Sequence, residues 1–455
     1  MKIEEIITKQ KLAFQDGVTR SFEARKSNLE KLRALVSENE DALCNAMNRD
    51  FGRPLFESYV TDINTVLQEI DFHLKNLQDW MEPEPVATPM ISFPSKSVMY
   101  KQPFGAVLVI SAWNYPVYLS FMPLIGAISA GNTVVLKPSE MVPETSGLMN
   151  VLVQKYFDDE VLCVVEGGVD ETTELLHQLF DKIFFTGSTR VGKIVMKAAA
   201  EQLIPVLLEL GGKSPAIVHH DADIDVSAKR IWWGKTINAG QTCVAPDFVA
   251  VHESVHDEFI EKSRKILAEF YRDDYKPGEN YAKILNESHF ERLQGLLDQS
   301  EILFGGITRK ENLFIEPTII KANWDDEIMK EEIFGPLLPV LTYSGSDSLI
   351  EMLRNKPSPL ALYLFTKDPE FEERIIHEVP FGGGCVNETI QHLGNLNLPF
   401  GGVGNSGMGA YHGRHSFDAF SRNQAVMKKA FWPDPEFRYP PYDEKVKTWF
   451  KRIFS

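Results

Sequence analysis

The chain is poor in cysteine, with four thiols in 455 residues. Four cannot form the dense disulfide framework of a small secreted domain, so reduced thiols and a cytoplasmic setting are expected. Positive charge is also scarce. Forty-seven Lys and Arg face 64 Asp and Glu, a formal net charge of -17, and no basic stripe offsets it locally. A chain this acidic repels a polyphosphate, which argues against a nucleic-acid partner. The N-terminal segment from Met1 to Phe14 is charged throughout and lacks the apolar core of a signal peptide. One long uncharged stretch exists, from Gln102 to Leu136, and its length would span a bilayer. Gly105, Asn114, Pro116, Pro123, Gly126, Gly131 and Asn132 cut it into short pieces. The expectation is buried strand, loop, helix and strand, not a membrane span.

What remains is the composition of a globular protein, 44% hydrophobic and 24% charged. The length implies two or three domains. Helical spacing of apolar residues runs through 21–80, divided at Gly52 and Pro54. Prolines at 83, 85, 89 and 94 then forbid a helix, and Met90 to Gln102 reads as an extended arm or a strand pair. From 104 to 210 apolar strands alternate with helices: strands at 106–112, 133–137, 161–165, 182–186 and 205–208, helices at 119–130, 145–156, 171–179 and 190–202. That alternation implies crossover connections and a parallel, doubly wound sheet, which binds ligands beyond the carboxyl ends of its strands. A second α/β region follows from Gly212 to Asn397, with helices at 224–238, 255–272 and 290–300 and strands at 248–251, 314–320 and 338–343.

Several polar or Gly-rich signals fall at strand ends. Cys243 lies in Asn238-Ala239-Gly240-Gln241-Thr242-Cys243-Val244-Ala245-Pro246, after a helix end and a tight turn. An accessible thiol there is a nucleophile once deprotonated; packing in a core is the competing reading. Cys44 and Cys163 lie within a helix and a strand and read as inert. Cys385 follows three glycines and lacks a partner motif. Glu209 closes an apolar strand and opens a Gly-Gly turn. Desolvation there raises a carboxyl pKa, which suits a general base. Asn114, in Trp113-Asn114-Tyr115-Pro116, offers a neutral amide suited to an oxyanion, or simply makes a turn before proline. Lys137 and Glu140 suit ribose hydroxyls or a surface ion pair. Gly187 and Ser188 open a helix, where backbone N–H groups suit a phosphate. Their spacing is not the G-x-G-x-x-G fingerprint, and a plain turn fits them equally.

Taken together the motifs are recognisable. Trp113-Asn114-Tyr115-Pro116, Lys137-Pro138-Ser139-Glu140, Phe185-Thr186-Gly187-Ser188, Glu209-Leu210-Gly211-Gly212-Lys213-Ser214-Pro215, Gly240-Gln241-Thr242-Cys243 and Glu331-Glu332-Ile333-Phe334-Gly335-Pro336 occur in that order. The chain resembles the NAD(P)-dependent aldehyde dehydrogenase superfamily over nearly its whole length. Its short N-terminal region and its tail Arg438-Tyr439-Pro440-Pro441-Tyr442 resemble the class 3 branch, which includes fatty, benzaldehyde-type and coniferyl aldehyde dehydrogenases.

The resemblance implies an α/β aldehyde dehydrogenase fold. A Rossmann-like cofactor domain would span 1–79 and 103–210, and an α/β catalytic domain 211–405. A small β oligomerisation arm with the C-terminal tail would span 80–102 and 406–455. It implies Cys243 as the thiolate, Asn114 with the Cys243 N–H as the oxyanion hole, and Glu209 as the base that activates water. Trp113, Lys137, Glu140, Gly187, Ser188, Leu210, Gly211, Glu332 and Phe334 would contact the cofactor, with no metal. NAD is expected, because Glu140 repels the extra phosphate of NADP, although class 3 relatives accept both. Tyr115, Thr242, Trp232 and Trp233 would line an apolar tunnel. No carboxylate-binding Arg accompanies the motifs, which favours uncharged aliphatic or aromatic aldehydes. A homodimer is implied. The basic, amphipathic end with Val446, Trp449, Phe450 and Ile453 reads as surface or dimer packing, with weak membrane contact as the alternative and no stable membrane anchor.

Overall fold

The computed structural model describes residues 2–271 and 274–442, with residues 444, 446–448 and 451. Three main sheets organise them. The first has six strands in the spatial order Gly407–Met408, Val206–Glu209, Lys182–Thr186, Ala106–Ile110, Thr133–Lys137, Leu162–Val164. All neighbours are parallel except Gly407–Met408, which runs antiparallel to Val206–Glu209. Strands such as Ala106–Ile110 and Thr133–Lys137 are buried at every residue, as a sheet covered on both faces requires. The helices Pro116–Ala130, Pro143–Tyr156, Val169–Leu176 and Thr189–Glu201 make the crossovers. Strand order reverses between Ala106–Ile110 and Lys182–Thr186, so a crevice opens beyond their carboxyl ends. Asn114 and Gly187 follow those ends.

The second sheet has seven strands in the order Glu301–Phe304, Thr318–Lys321, Leu337–Tyr343, Phe248–His252, Pro215–Val218, Ala361–Phe365, Gly383–Val386. Only its first pair is antiparallel. In the third sheet Ser95–Pro103 lies between Glu84–Val86 and Ser421–Lys429, antiparallel to both.

The doubly wound reading of 104–210 thus corresponds closely to the first sheet. Three details depart from the sequence expectation. The helix expected at 119–130 begins earlier, at Pro116, and runs through Pro123 as expected. Every residue of that helix is buried. Packing on all sides offsets the roughly 3 kcal/mol that an interior proline costs. Gly126 is needed in the same helix, because a Cβ there would lie 2.8 Å from the Ser416 Cβ. Second, the strand expected at 314–320 is two strands, Phe314–Ile315 and Thr318–Lys321. Pro317, with no N–H to donate, falls between them. Third, an amphipathic helix, Ile3–Gln15, precedes the expected ones. It docks through buried Gln10, whose Nε2 donates to the Val134 carbonyl at 2.8 Å and the Asp159 carbonyl at 3.1 Å. Of the amphipathic C-terminal end, Trp449, Phe450 and Ile453 lie outside the described residues. Among the described residues no helix is long and apolar enough to cross a membrane.

The Gly126 contact makes a measurable claim. Gly126→Leu should lower stability by about 1–3 kcal/mol through overpacking, read as a lower denaturant midpoint with an unchanged slope.

Candidate active site

The Ile224–Thr236 helix ends in a tight turn, Ile237–Gly240. Asn238 and Ala239 both adopt φ of 52°, which residues with a side chain rarely do. Gly240 follows at φ 74°, and a Cβ there would strike the Gly335 carbonyl. The turn is held by surrounding groups. Gln241 Nε2 donates to the carbonyls of Asn238 and Lys283 at 3.0 and 2.9 Å, and Gln241 Oε1 accepts the Leu285 N–H at 2.9 Å. Asn238 N–H donates to Glu57 Oε1 at 2.7 Å. Cys243 emerges from this turn half-buried. Burial, then the nearby Glu332 and Glu209 carboxylates, push its thiol well up from the ordinary value. Cys44 and Cys163 are buried, and burial raises both to about 11, as inert core thiols behave. Cys385 is half-buried, with its Sγ 3.5 Å from His392 Nδ1.

Asn114 comes to the same place from the first sheet. Its Nδ2 donates to the Gln241 carbonyl at 3.1 Å. Its own carbonyl accepts from Asn238 Nδ2 and Arg53 Nη1, both at 3.0 Å. Arg53 is fully buried. It pairs with Asp62 at 2.5 Å and donates to Ser58 Oγ at 3.0 Å. Asp62 Oδ1 in turn accepts the N–H groups of Val117 and Tyr118, at 3.0 and 2.9 Å, capping the Pro116–Ala130 helix.

Glu209 ends its strand with a side chain only 2% exposed, and neither carboxylate oxygen has a hydrogen-bond partner. Burial raises its carboxyl pKa well above the ordinary value. The charges of both Glu209 and Cys243 are felt at the buried hydroxyls of Tyr118 and Tyr411, so the four groups share one region. Tyr118 Oη lies 2.8 Å from His412 Nε2.

The other sequence-derived candidates surround this centre. Buried Lys137 donates to the Pro138 carbonyl at 2.8 Å and lies 3.3 Å from exposed Glu140. Ser188 caps the Thr189–Glu201 helix by accepting the Val191 N–H, and the Gly187 N–H donates to the Glu209 carbonyl at 3.0 Å. Leu210 is buried, its N–H bound to the Ser406 carbonyl at 3.0 Å. A Cβ on Gly211 would collide with the Glu332 carboxylate. Burial and Asp247 raise Glu332 to about 8. Phe334 packs edge-on against Trp113, with ring centroids 5.6 Å apart. A cleft of about 710 Å³ includes Ser188, Gly211 and Glu332 in its wall. Tyr115 Oη is 2.6 Å from Thr242 Oγ1. Trp233 is 36% exposed, whereas its neighbour Trp232 is fully buried with an unpartnered indole N–H. Among the described residues no cluster of His, Cys, Asp and Glu could hold a metal.

Arg53, Asp62, Glu57, Tyr118, Tyr411 and His412 were not legible as site residues. Arg53 alone left a trace, a cation between Gly52 and Pro54 where two helices separate. Its partners Ser58 and Asp62 lie nearby in sequence, but the Asn114 carbonyl it braces comes from a distant segment.

A family model for the aldehyde dehydrogenase family matches residues 1–426, and the chain belongs to that family. It is an NAD(P)-dependent enzyme that oxidises aldehydes to carboxylic acids. Its class 3 character shows in its relatives. It is 45% identical to aldehyde dehydrogenase family 3 member H1 of Arabidopsis thaliana, covering 96% of this chain and 92% of the relative. It is 42% identical to the dimeric NADP-preferring aldehyde dehydrogenase of Rattus norvegicus, covering 98% and 99%. The 4,4'-diaponeurosporen-aldehyde dehydrogenase of Staphylococcus aureus is 44% identical over 99% of both chains. A substrate-bound structure of Staphylococcus aureus AldH superposes with a TM-score of 0.98 at 43% identity, covering all of both chains.

The buried ion pair behind Asn114 makes a prediction. Arg53→Ala strands the Asp62 charge in the interior and should cost about 3–5 kcal/mol of stability. Urea unfolding monitored by Trp fluorescence measures it.

Proposed function

We propose that Cys243, Asn114 and Glu209 carry out the oxidation, with NAD as the preferred acceptor. The observation that carries this reading is Glu209, a buried carboxylate with both oxygens unpartnered, sharing its surroundings with a half-buried thiol. A buried charge without a partner is costly unless it serves a task.

The residues fit the cofactor. Thr186 Oγ1 is buried and unpartnered beside the helix start at Gly187 and Ser188, and Lys137 holds a buried ammonium next to the exposed Glu140 carboxylate. An ammonium and a carboxylate side by side match the diol of a ribose. Gly187 and Ser188 would take the pyrophosphate, with Leu210 and Gly211 alongside. Glu332, Phe334 and Trp113 would take the nicotinamide ribose and ring. Glu140 favours NAD over NADP by charge repulsion.

The Cys243 thiolate bonds to the aldehyde carbon. The Asn114 amide, with one N–H spent on Gln241, turns the other to the oxyanion, together with the Cys243 backbone N–H. Bound NAD(P) supplies the two-electron acceptor that leaves a thioester on Cys243. Glu209 then takes a proton from water, the oxygen bonds to the thioester carbon, and the thiol leaves as the acid forms. Tyr115, Thr242 and Trp233 line the approach. Their apolar character supports medium- or long-chain aliphatic, or aromatic, aldehydes. The three-part domain division set out above, a cytoplasmic location and a homodimer complete the reading. The exposed apolar residues Met90, Phe93 and Met427 beside the third sheet support the dimer.

Turnover with NAD across acetaldehyde to dodecanal and benzaldehyde tests the reading. Cys243→Ala should lose turnover by about four orders of magnitude and still bind NAD, read by protein fluorescence quenching. Retained turnover refutes it. Glu209→Gln should keep a first-turnover burst of NADH followed by a steady rate at least about a hundredfold lower. The steady rate of the parent should climb with pH as Glu209 ionises, and the variant should not follow.

Glu209 also marks stability. Its folded pKa is raised, so the folded chain holds this proton more tightly than the unfolded chain. Stability from this group is therefore lost as pH rises above the unfolded value of about 4.3. Glu209→Gln should melt higher than the parent at pH 8 and show no advantage at pH 4, by calorimetry.

A further inference from the structure

Glu57 lies outside every motif. It sits in the short Leu55–Ser58 helix, on the chain segment between Arg53 and Asp62. Its Oε1 accepts the Asn238 N–H at 2.7 Å. Asn238 begins the left-handed pair, φ 52° at both residues, that swings the chain towards Cys243. The Asn238 side chain does two further things. Its Nδ2 donates to the Asn114 carbonyl at 3.0 Å and to the Gln241 carbonyl at 3.2 Å. One residue therefore ties the nucleophile's turn to the backbone of the oxyanion residue, and Glu57 holds that residue by its main chain.

We propose that Glu57 is a positioning residue whose ionised carboxylate holds the Asn238 turn, and that its protonation loosens the presentation of Cys243. A carboxylate accepts an N–H about twice as strongly as a neutral oxygen does, and the left-handed turn needs external support to persist. The groups facing Glu57 are Arg53, Asp62, Tyr115, Tyr271 and Tyr281. Arg53 is the cation among them, and it is already paired with Asp62 at 2.5 Å. Burial therefore outweighs Arg53 and lifts Glu57 to about 7. Glu57 is half-buried, with exposed Phe56 and Val60 beside it. The switch lies within the physiological range.

This inference rests on Cys243 being the nucleophile. Its test reads the thiol directly, so the two can fail separately. The rate of iodoacetamide labelling at Cys243, located by peptide mass spectrometry, is followed from about pH 6 to 8.5 in the full-length protein. In the parent two protons must leave, from the thiol and from Glu57, and the logarithmic rate should rise with a slope above one near pH 7. Glu57→Gln mimics the protonated acid. It should rise with a slope of one, and at pH 8.5 should label about three- to tenfold more slowly than the parent. Glu57→Ala, with no acceptor, should label at least as slowly. Equal NAD binding by the parent and Glu57→Gln shows that the fold is kept. A slope of one in the parent, or parental labelling by both variants at pH 8.5, overturns the proposal. Loss of turnover in Cys243→Ala bears only on the nucleophile.

Discussion

One buried cation ties the two halves of the site together. Arg53 comes from the loop between two N-terminal helices and is fully enclosed. It neutralises Asp62, braces the Asn114 carbonyl and stacks over the Tyr115 ring at 4.9 Å. Asp62 then caps the Pro116–Ala130 helix, which is buried at every residue. Desolvating such a pair costs several kcal/mol per ion, and the hydrogen bonds around it must satisfy the remaining donors and lone pairs. Here they do, and the result is geometric definition. Asn114 and the Cys243 turn are fixed relative to one another through a continuous network of hydrogen bonds of 2.5 to 3.2 Å.

Around that fixed frame the groups proposed to react or to hold the cofactor are left in unfavourable electrostatic states. Glu209 has no hydrogen-bond partner, and Glu332 is raised to about 8. The Cys243 thiol is pushed up by its surroundings. The same low dielectric that strengthens the Arg53 pair makes these groups expensive. A rigid frame and strained occupants belong together, because a softer frame would relax them.

The sequence carried the parts of this arrangement that depend on local order. Strands 133–137 and 182–186 were legible to the residue, because a parallel strand buried on both faces is an unbroken apolar run. The motifs at strand ends were legible because ligand chemistry concentrates there. The helix through Pro123 was legible from its apolar run, although its start at Pro116 was not. Glu57 and Asp62 had no local signature, and Arg53 only its place between Gly52 and Pro54. Their meaning lies in contacts with residues 114, 117, 118 and 238, and a single sequence does not display pairings across about 55 to 181 positions. Strands such as Ala361–Phe365 went unread for a related reason. Ala361–Phe365 lies between Pro215–Val218 and Gly383–Val386, partners from segments far before and after it, and only the assembled sheet makes it evident.

The third sheet pairs Ser95–Pro103 with Ser421–Lys429 along the whole of both strands. The Gly407–Met408 strand likewise returns to the strand that carries Glu209. Both closures wait for nearly the last part of the chain to be made. During synthesis, the ribosome must release the chain through Met408 before the edge beside Glu209 is covered, and through Lys429 before the long central strand of the third sheet finds its full partner. Until then the nascent chain carries two open strand edges. An edge of this kind pairs with any extended segment that reaches it. The order of translation therefore makes the C-terminal part of the chain the lock on the fold, and the interval before its arrival the period of greatest exposure to misassembly.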